Sequence, residues 1–129
     1  IEEEYTLKYH SVITEIGAEA LNFLTDESVP FIILFADTVP PELAEVAVLH
    51  HADSVFSAPA AGDTVLIGEK VFEITAVGDS VAKTLQELGH CTLCFQGSEE
   101  PERPGCIMLD GEEMVTPDDV KAGTVLEIH

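Results

Sequence analysis

No apolar run in this chain is longer than the six residues Phe31–Ala36, and the other runs are short and rich in β-branched residues. Segments of that length fit strands and fall far short of the roughly 20 residues that a membrane-spanning helix needs. Gly, Pro and Asp punctuate them, as turns require. The clearest unit is a hairpin: Gly62-Asp63 opens Thr64-Val65-Leu66-Ile67, the stretch Gly68-Glu69-Lys70 turns, and Val71 to Val77 returns.

Other strands read out less sharply. Tyr5 to Ile16 puts Tyr5, Leu7 and Tyr9 on one face, slips in phase near Ile13, and ends at Gly17. Phe31 to Phe35, bounded by Pro30 and Asp37, reads as a fully buried strand. Pro40 to Glu45 reads as a turn feeding the strand Val46 to His51. Alternation there sets Val46, Val48 and His50 on one face against Ala47, Leu49 and His51 on the other. His90 to Phe95, Cys106 to Leu109 and Val125 to Ile128 complete the strand set, while residues 18–28 read as a short helix or turn.

One segment has helical period and both end signals. Asp79-Ser80 offers N-cap side chains, Val81, Leu85 and Leu88 share a face, and Gly89 stands where a left-handed C-cap belongs. Thr116-Pro117-Asp118-Asp119 reads as a second helix start, closed by Gly123. The expectation is a mainly β fold, a small antiparallel barrel or sandwich with one or two short helices. With 129 residues and no linker or repeat, it forms a single domain over residues 1–129.

Charge narrows the function classes. Asp and Glu number 25 against 5 Lys and Arg, a formal net charge of -20. Such a chain lacks the cations that bind a phosphate backbone or an anionic membrane, so no nucleic acid and no membrane insertion are expected. A basic protein partner suits it. An odd count of three cysteines, with no secretory signal at Ile1-Glu2-Glu3-Glu4, predicts a reducing, cytoplasmic setting.

His50 and His51 stand out as candidate chemistry, because imidazole serves as nucleophile, base or metal ligand near neutral pH. An ordinary pair at a strand end is the competing reading. As metal ligands they are poor: His51 and Asp53 share a face that His50 opposes. Cys91 and Cys94 have knuckle spacing, but no second pair exists and a strand turns them to opposite sides, so they read as core thiols. His90, His10 and His129 read as structural, and Glu2 to Glu4 and Glu99-Glu100 as solvated charge. Phosphate-loop and serine-nucleophile motifs are absent.

The order of segments resembles the glucitol/sorbitol-specific enzyme IIA of the bacterial phosphoenolpyruvate-dependent sugar phosphotransferase system. The matching pieces are Ile13 to Ala18, Pro41 to Glu45 running into Leu49-His50, Thr75 to Gly78, Leu85-Gln86-Glu87-Leu88-Gly89-His90, Cys91 to Phe95, Pro104 to Ile107 and Ala122 to Leu126. The resemblance implies a cytoplasmic phosphotransferase component without cofactor or metal. It implies a phosphoryl group taken from the histidine-containing phosphocarrier protein onto His50. From there the group passes to a cysteine of the sorbitol permease's IIB domain.

A second histidine two residues further on, frequent in the family, is Ala52 here, so the candidates for assistance are His51 and Ser54. Backbone N–H groups, hydroxyls or the partner's cations would meet the phosphoryl oxygens. Two rivals stand beside this reading. One is a noncatalytic acidic β-barrel interaction module. The other is a metal protein using His50, His51, Asp53 and cysteines. A carrier predicts His50 exposed in a shallow apolar hollow, and a binding module predicts it packed and hydrogen-bonded inside.

Overall fold

Hydrogen bonding joins the short apolar segments into a ring. The computed structural model describes the backbone of residues 7–25, 30–55 and 57–129, and their side chains except at 25 and 53–55. In chain order come β1 (Tyr9–Ile16), a 3-10 helix (Ala20–Thr25), β2 (Phe31–Ala36), α1 (Pro41–Ala44), β3 (Val48–Val55) and β4 (Thr64–Ile67). Then follow β5 (Lys70–Val77), α2 (Val81–Leu88), β6 (Cys91–Cys94), β7 (Cys106–Asp110) and β8 (Val125–Ile128). The strands close a barrel in the order β1-β3-β2-β6-β7-β5-β4-β8. Closure leaves no strand edge to be protected, and eight strands enclose a space that side chains can fill.

The mainly β barrel with short helices is therefore as expected. The pairing is antiparallel except between β2 and β3 and between β6 and β7, which run parallel. Each parallel pair is reached by a crossover rather than a tight turn: α1 lies between β2 and β3, and the Phe95–Gly105 loop lies between β6 and β7. The predicted hairpin is β4 and β5, with Ile67 opposite Lys70 and Gly68 at φ 61 in the turn. Glu2 to Glu4 and Tyr5 lie outside the described residues.

The interior is apolar and continuous. Tyr9, Ile13, Ile32, Leu34, Val48, Val65, Ile67, Ile74, Leu93, Ile107, Leu109, Leu126 and Ile128 meet in one cluster, joined by Val81 and Leu85 from α2. Helix α2 thus covers the barrel with the face its spacing predicts. Truncating Leu85 to alanine is expected to cost about 2–4 kcal/mol through lost transfer energy and a residual cavity. Urea unfolding of the Leu85→Ala protein checks this, and a change under about 0.5 kcal/mol would show that α2 does not seal the core.

Four local expectations are corrected. β2 is buried on one face only: Ile32 and Leu34 point inward, while Phe31, Ile33 and Phe35 are half-buried outside. The outer face of β2 is shielded only in part, by aromatic stacking of Phe23 on Phe31 at 4.7 Å and by packing of Phe31 against a second buried cluster. Ser80 does not cap α2 with its side chain, because its backbone is already helical at φ -89 and ψ -10 and not extended as a capping residue must be. Thr116 to Asp119 forms a turn and not a helix. There Asp119 Oδ2 accepts from the Thr116 N–H at 2.8 Å and from the Thr116 hydroxyl at 3.0 Å, and also binds Lys70 Nζ at 2.7 Å. Pro41 to Ala44, expected as a bare turn, forms the single helical turn α1.

Candidate functional site

Alternation along β3 places the two adjacent histidines on opposite sides of the barrel wall. His50 is 1% exposed, whereas the His51 side chain is 67% exposed. The period-2 expectation for this strand is therefore met. What the strand pattern could not supply is the company each ring keeps.

His50 points into the barrel. Ile13 of β1 is its direct antiparallel partner, and Ser11, which lies opposite Ala52, is its diagonal neighbour on the same inward face. A register shift between His10 and Ser11 accompanies this arrangement. The ring is held at both nitrogens: Nδ1 lies 3.0 Å from Ser11 Oγ, and Nε2 lies 2.7 Å from the Gly89 carbonyl oxygen. Tyr9 stands beside it with ring centroids 6.0 Å apart.

These partners define the tautomer. A carbonyl oxygen only accepts, so Nε2 carries the proton and donates to Gly89. Nδ1 of the neutral ring then holds a lone pair, to which the Ser11 hydroxyl donates. Burial pushes the His50 pKa below its ordinary value, opposed by the Gly89 carbonyl and Asp37 and reinforced by His51. The imidazole is thus kept neutral, the form in which a ring nitrogen is nucleophilic.

A stability consequence follows with a definite sign. The folded protein binds fewer protons at His50 than the unfolded chain does, so this contribution is full above the ordinary histidine pKa of about 6.5 and is lost as pH falls below it. Between pH 7.5 and pH 5.5 the parent is expected to lose more unfolding free energy than His50→Gln does. Urea denaturation of both proteins at the two pH values measures this, and equal losses would mean that His50 titrates normally.

Gly89 reaches this position because α2 ends there. Its φ of 62 is left-handed, and its N–H closes the helix by donating to the carbonyls of Leu85 and Thr84. The next residue, His90, turns outward, stacks on Phe35 with centroids 4.2 Å apart, and lies with Nδ1 3.2 Å from the Leu34 carbonyl. His51 has Nδ1 3.8 Å from Asp37 Oδ1, across open surface and on the far side of the wall from the His50 ring. As an assistant to His50 it is therefore not brought into place. The side chains of Asp53 and Ser54 lie outside the described residues.

The remaining candidates sort cleanly. Cys91 belongs to the main core and Cys94 to a second cluster with Cys106, Ala76 and Met108, so the strand does turn them to opposite sides. All three thiols are free and buried. Burial pushes Cys91 and Cys94 up to about 12, which leaves them protonated and unreactive. Among the described residues no group of three His, Cys, Asp or Glu side chains could hold a metal ion. His129 lies 2.8 Å from Glu127, with His10 3.5 Å from the same carboxylate group. A depression of about 830 Å³ beside β4 and β5 is lined by Lys70, Glu73, Asp110 and Glu112 among others, with no histidine or cysteine.

Sequence reasoning missed Ser11, Tyr9 and Gly89 as parts of this site. A signal existed for Ser11: it occupies an inward position in the alternation that runs through Tyr9 and Ile13, and a polar residue there needs a partner. Nothing local indicated that the Gly89 carbonyl would supply the second contact.

Comparison with known proteins decides the family. The family described as the PTS system glucitol/sorbitol-specific IIA component matches residues 8–127. The chain belongs to the glucitol/sorbitol-specific IIA family. It is thus a phosphotransferase component of the sugar phosphotransferase system, as the order of its segments implied. A glucitol/sorbitol-specific EIIA component of Escherichia coli (strain K12) is 35% identical over 124 residues, covering 96% of each chain. The same component of Shigella flexneri has the same identity and coverage. The barrel of this IIA chain also matches a solved PTS system IIA component from Enterococcus faecalis V583, with a TM-score of 0.67 and 27% identity, covering 91% of this chain and 96% of that one. IIA members act with the histidine-containing phosphocarrier protein and IIB partners in general. No described helix of this one is long and apolar enough to cross a membrane.

Proposed function

We propose that this protein is a single cytoplasmic phosphocarrier domain that holds a phosphoryl group on His50 during sorbitol uptake. The group arrives from the phosphohistidine of the histidine-containing phosphocarrier protein and leaves to a cysteine of the permease's IIB domain. The observation that carries the reading is the His50 ring itself, held in orientation at both nitrogens and pushed toward its neutral form by burial. A net charge of -20 suits docking of a basic donor, whose own cations would meet the phosphoryl oxygens.

Nε2 is the accepting atom. Nδ1 faces the wholly buried Ser11 inside the barrel, whereas Nε2 faces the end of α2 and is separated from it by one hydrogen bond. Acceptance therefore requires Nε2 to leave the Gly89 carbonyl. Once Nε2 has also given up its proton, with Nδ1 carrying the ring's proton instead, the Nε2 lone pair attacks phosphorus in line, the donor's P–N bond breaks, and that electron pair returns to the donor's imidazole.

The closed ring is also the one observation that favours the noncatalytic module, since a carrier predicts an exposed histidine and His50 is 1% exposed. Intact-mass analysis after incubation with phosphoenolpyruvate, enzyme I and the phosphocarrier protein separates the two. An acid-labile gain of one phosphoryl group, located on His50 by fragmentation, is expected. No gain, with the donors active on a control acceptor, would leave the interaction module standing.

A further inference from the structure

We propose that Ser11 is a positioning residue for phosphoryl transfer, whose hydroxyl reverses from donor to acceptor so that His50 can present Nε2. The inference rests on the reading of His50 as the phosphoryl acceptor, and adds to it a residue 39 positions away that sets the ring's tautomer.

The resting arrangement is unsuited to attack. Nε2 carries the proton, because its partner, the Gly89 carbonyl at 2.7 Å, can only accept. A nitrogen bonded to hydrogen has no lone pair to offer phosphorus. For Nε2 to attack, the ring must hold its proton on Nδ1 instead. One proton is released from Nε2 to water and one from water is taken up at Nδ1, so the ring remains neutral.

An Nδ1–H inside the barrel needs an acceptor, and burial without one is costly. Ser11 Oγ lies 3.0 Å from Nδ1, and Ser11 is fully buried. A serine hydroxyl has one donor hydrogen and two acceptor lone pairs, so it serves either tautomer by rotation about its C–O bond. In the resting protein it donates to Nδ1, and in the attacking tautomer it accepts from Nδ1–H. The Gly89 carbonyl is not reversible in this way, which ties release of Nε2 from Gly89 to the proton's move to Nδ1. When the phosphoryl group bonds to Nε2, the imidazole positive charge spreads toward Nδ1–H, and the Ser11 oxygen holds a charge-assisted hydrogen bond. Tyr9 does not substitute for it, since its ring only flanks the imidazole, 6.0 Å between centroids.

The test compares the parent, Ser11→Ala, Ser11→Thr and His50→Ala, with the rate of phosphoryl acceptance followed by intact mass. Ser11→Ala is expected to accept on the order of tenfold more slowly, whereas Ser11→Thr, which keeps the hydroxyl, is expected to stay within about threefold of the parent. Nitrogen-15 NMR of the histidine ring gives a readout that a merely structural serine would not move: Nε2–H in the resting parent, and phosphorus on Nε2 with Nδ1–H in the phosphorylated parent. That measurement needs no variant, so a phosphoryl group on Nδ1 would overturn the proposal even if Ser11→Ala folds poorly. A phosphoryl group on Nδ1, a parent-like rate in Ser11→Ala, or equal slowing in Ser11→Thr and Ser11→Ala would each overturn the role of Ser11. Phosphoryl gain in His50→Ala would instead overturn the acceptor reading itself.

Discussion

Replacing His50 by alanine is expected to abolish phosphoryl acceptance, with a drop on the order of a thousandfold or more, while His51→Ala stays within about twofold of the parent. The difference comes from where the strand points each ring. The His50 ring is oriented by hydrogen bonds of 3.0 Å to Ser11 and 2.7 Å to the Gly89 carbonyl. Removing a nucleophile removes the covalent step, and no neighbour can take over without equal orientation. Among the described residues His51 meets Asp37 at 3.8 Å, beyond hydrogen-bond distance and on open surface, where an ion pair contributes little. Intact mass after incubation with the donor proteins measures both variants. Phosphorylation lost in His51→Ala and kept in His50→Ala would transfer the role to the exposed histidine.

Gly89→Ala is expected to lower stability by about 2–4 kcal/mol and to expose His50. Two costs add. The position has φ 62, where a side chain is strained. A Cβ there would also come within 2.8 Å of the Ala36 backbone nitrogen and 2.9 Å of the Ala36 Cβ. Those atoms belong to β2, paired with β3 at Ala36 and His50 and with β6 further along, so they cannot give way and the end of α2 must lift instead. Lifting takes the Gly89 carbonyl from His50 Nε2. Urea unfolding measures the first effect, and the rate of His50 modification by diethylpyrocarbonate measures the second, expected to rise. A variant as stable as the parent with an equally protected His50 would show that Gly89 neither needs its conformation nor closes the ring.

Much of the fold was legible because it is written locally. The β4–β5 hairpin follows from turn residues beside β-branched runs, and α2 from its spacing and the glycine after it. The failures have local causes too. Ser80 looks like a cap, but its N–H is drawn to the Pro104 carbonyl at 2.9 Å, and the backbone there is already helical. Thr116-Pro117 looks like a helix start, but the Asp119 carboxylate is shared between the turn and Lys70. In both places a contact distant in sequence outweighed a propensity of a kcal/mol or less.

The site divides along the same line. Strand alternation alone sets His50 and His51 in opposite directions, and the glycine after Leu88 alone marks the end of α2, because a left-handed residue finishes a helix that way. The order of the segments also determined the family. Which histidine faces inward, which nitrogen carries the proton, and the grip of Ser11 and the Gly89 carbonyl on the ring come from the folded barrel. Those facts depend on β1, β3 and the end of α2 meeting across 39 residues of chain in each direction from His50. The register that brings them together is set by closure of the whole barrel, and no local periodicity encodes it.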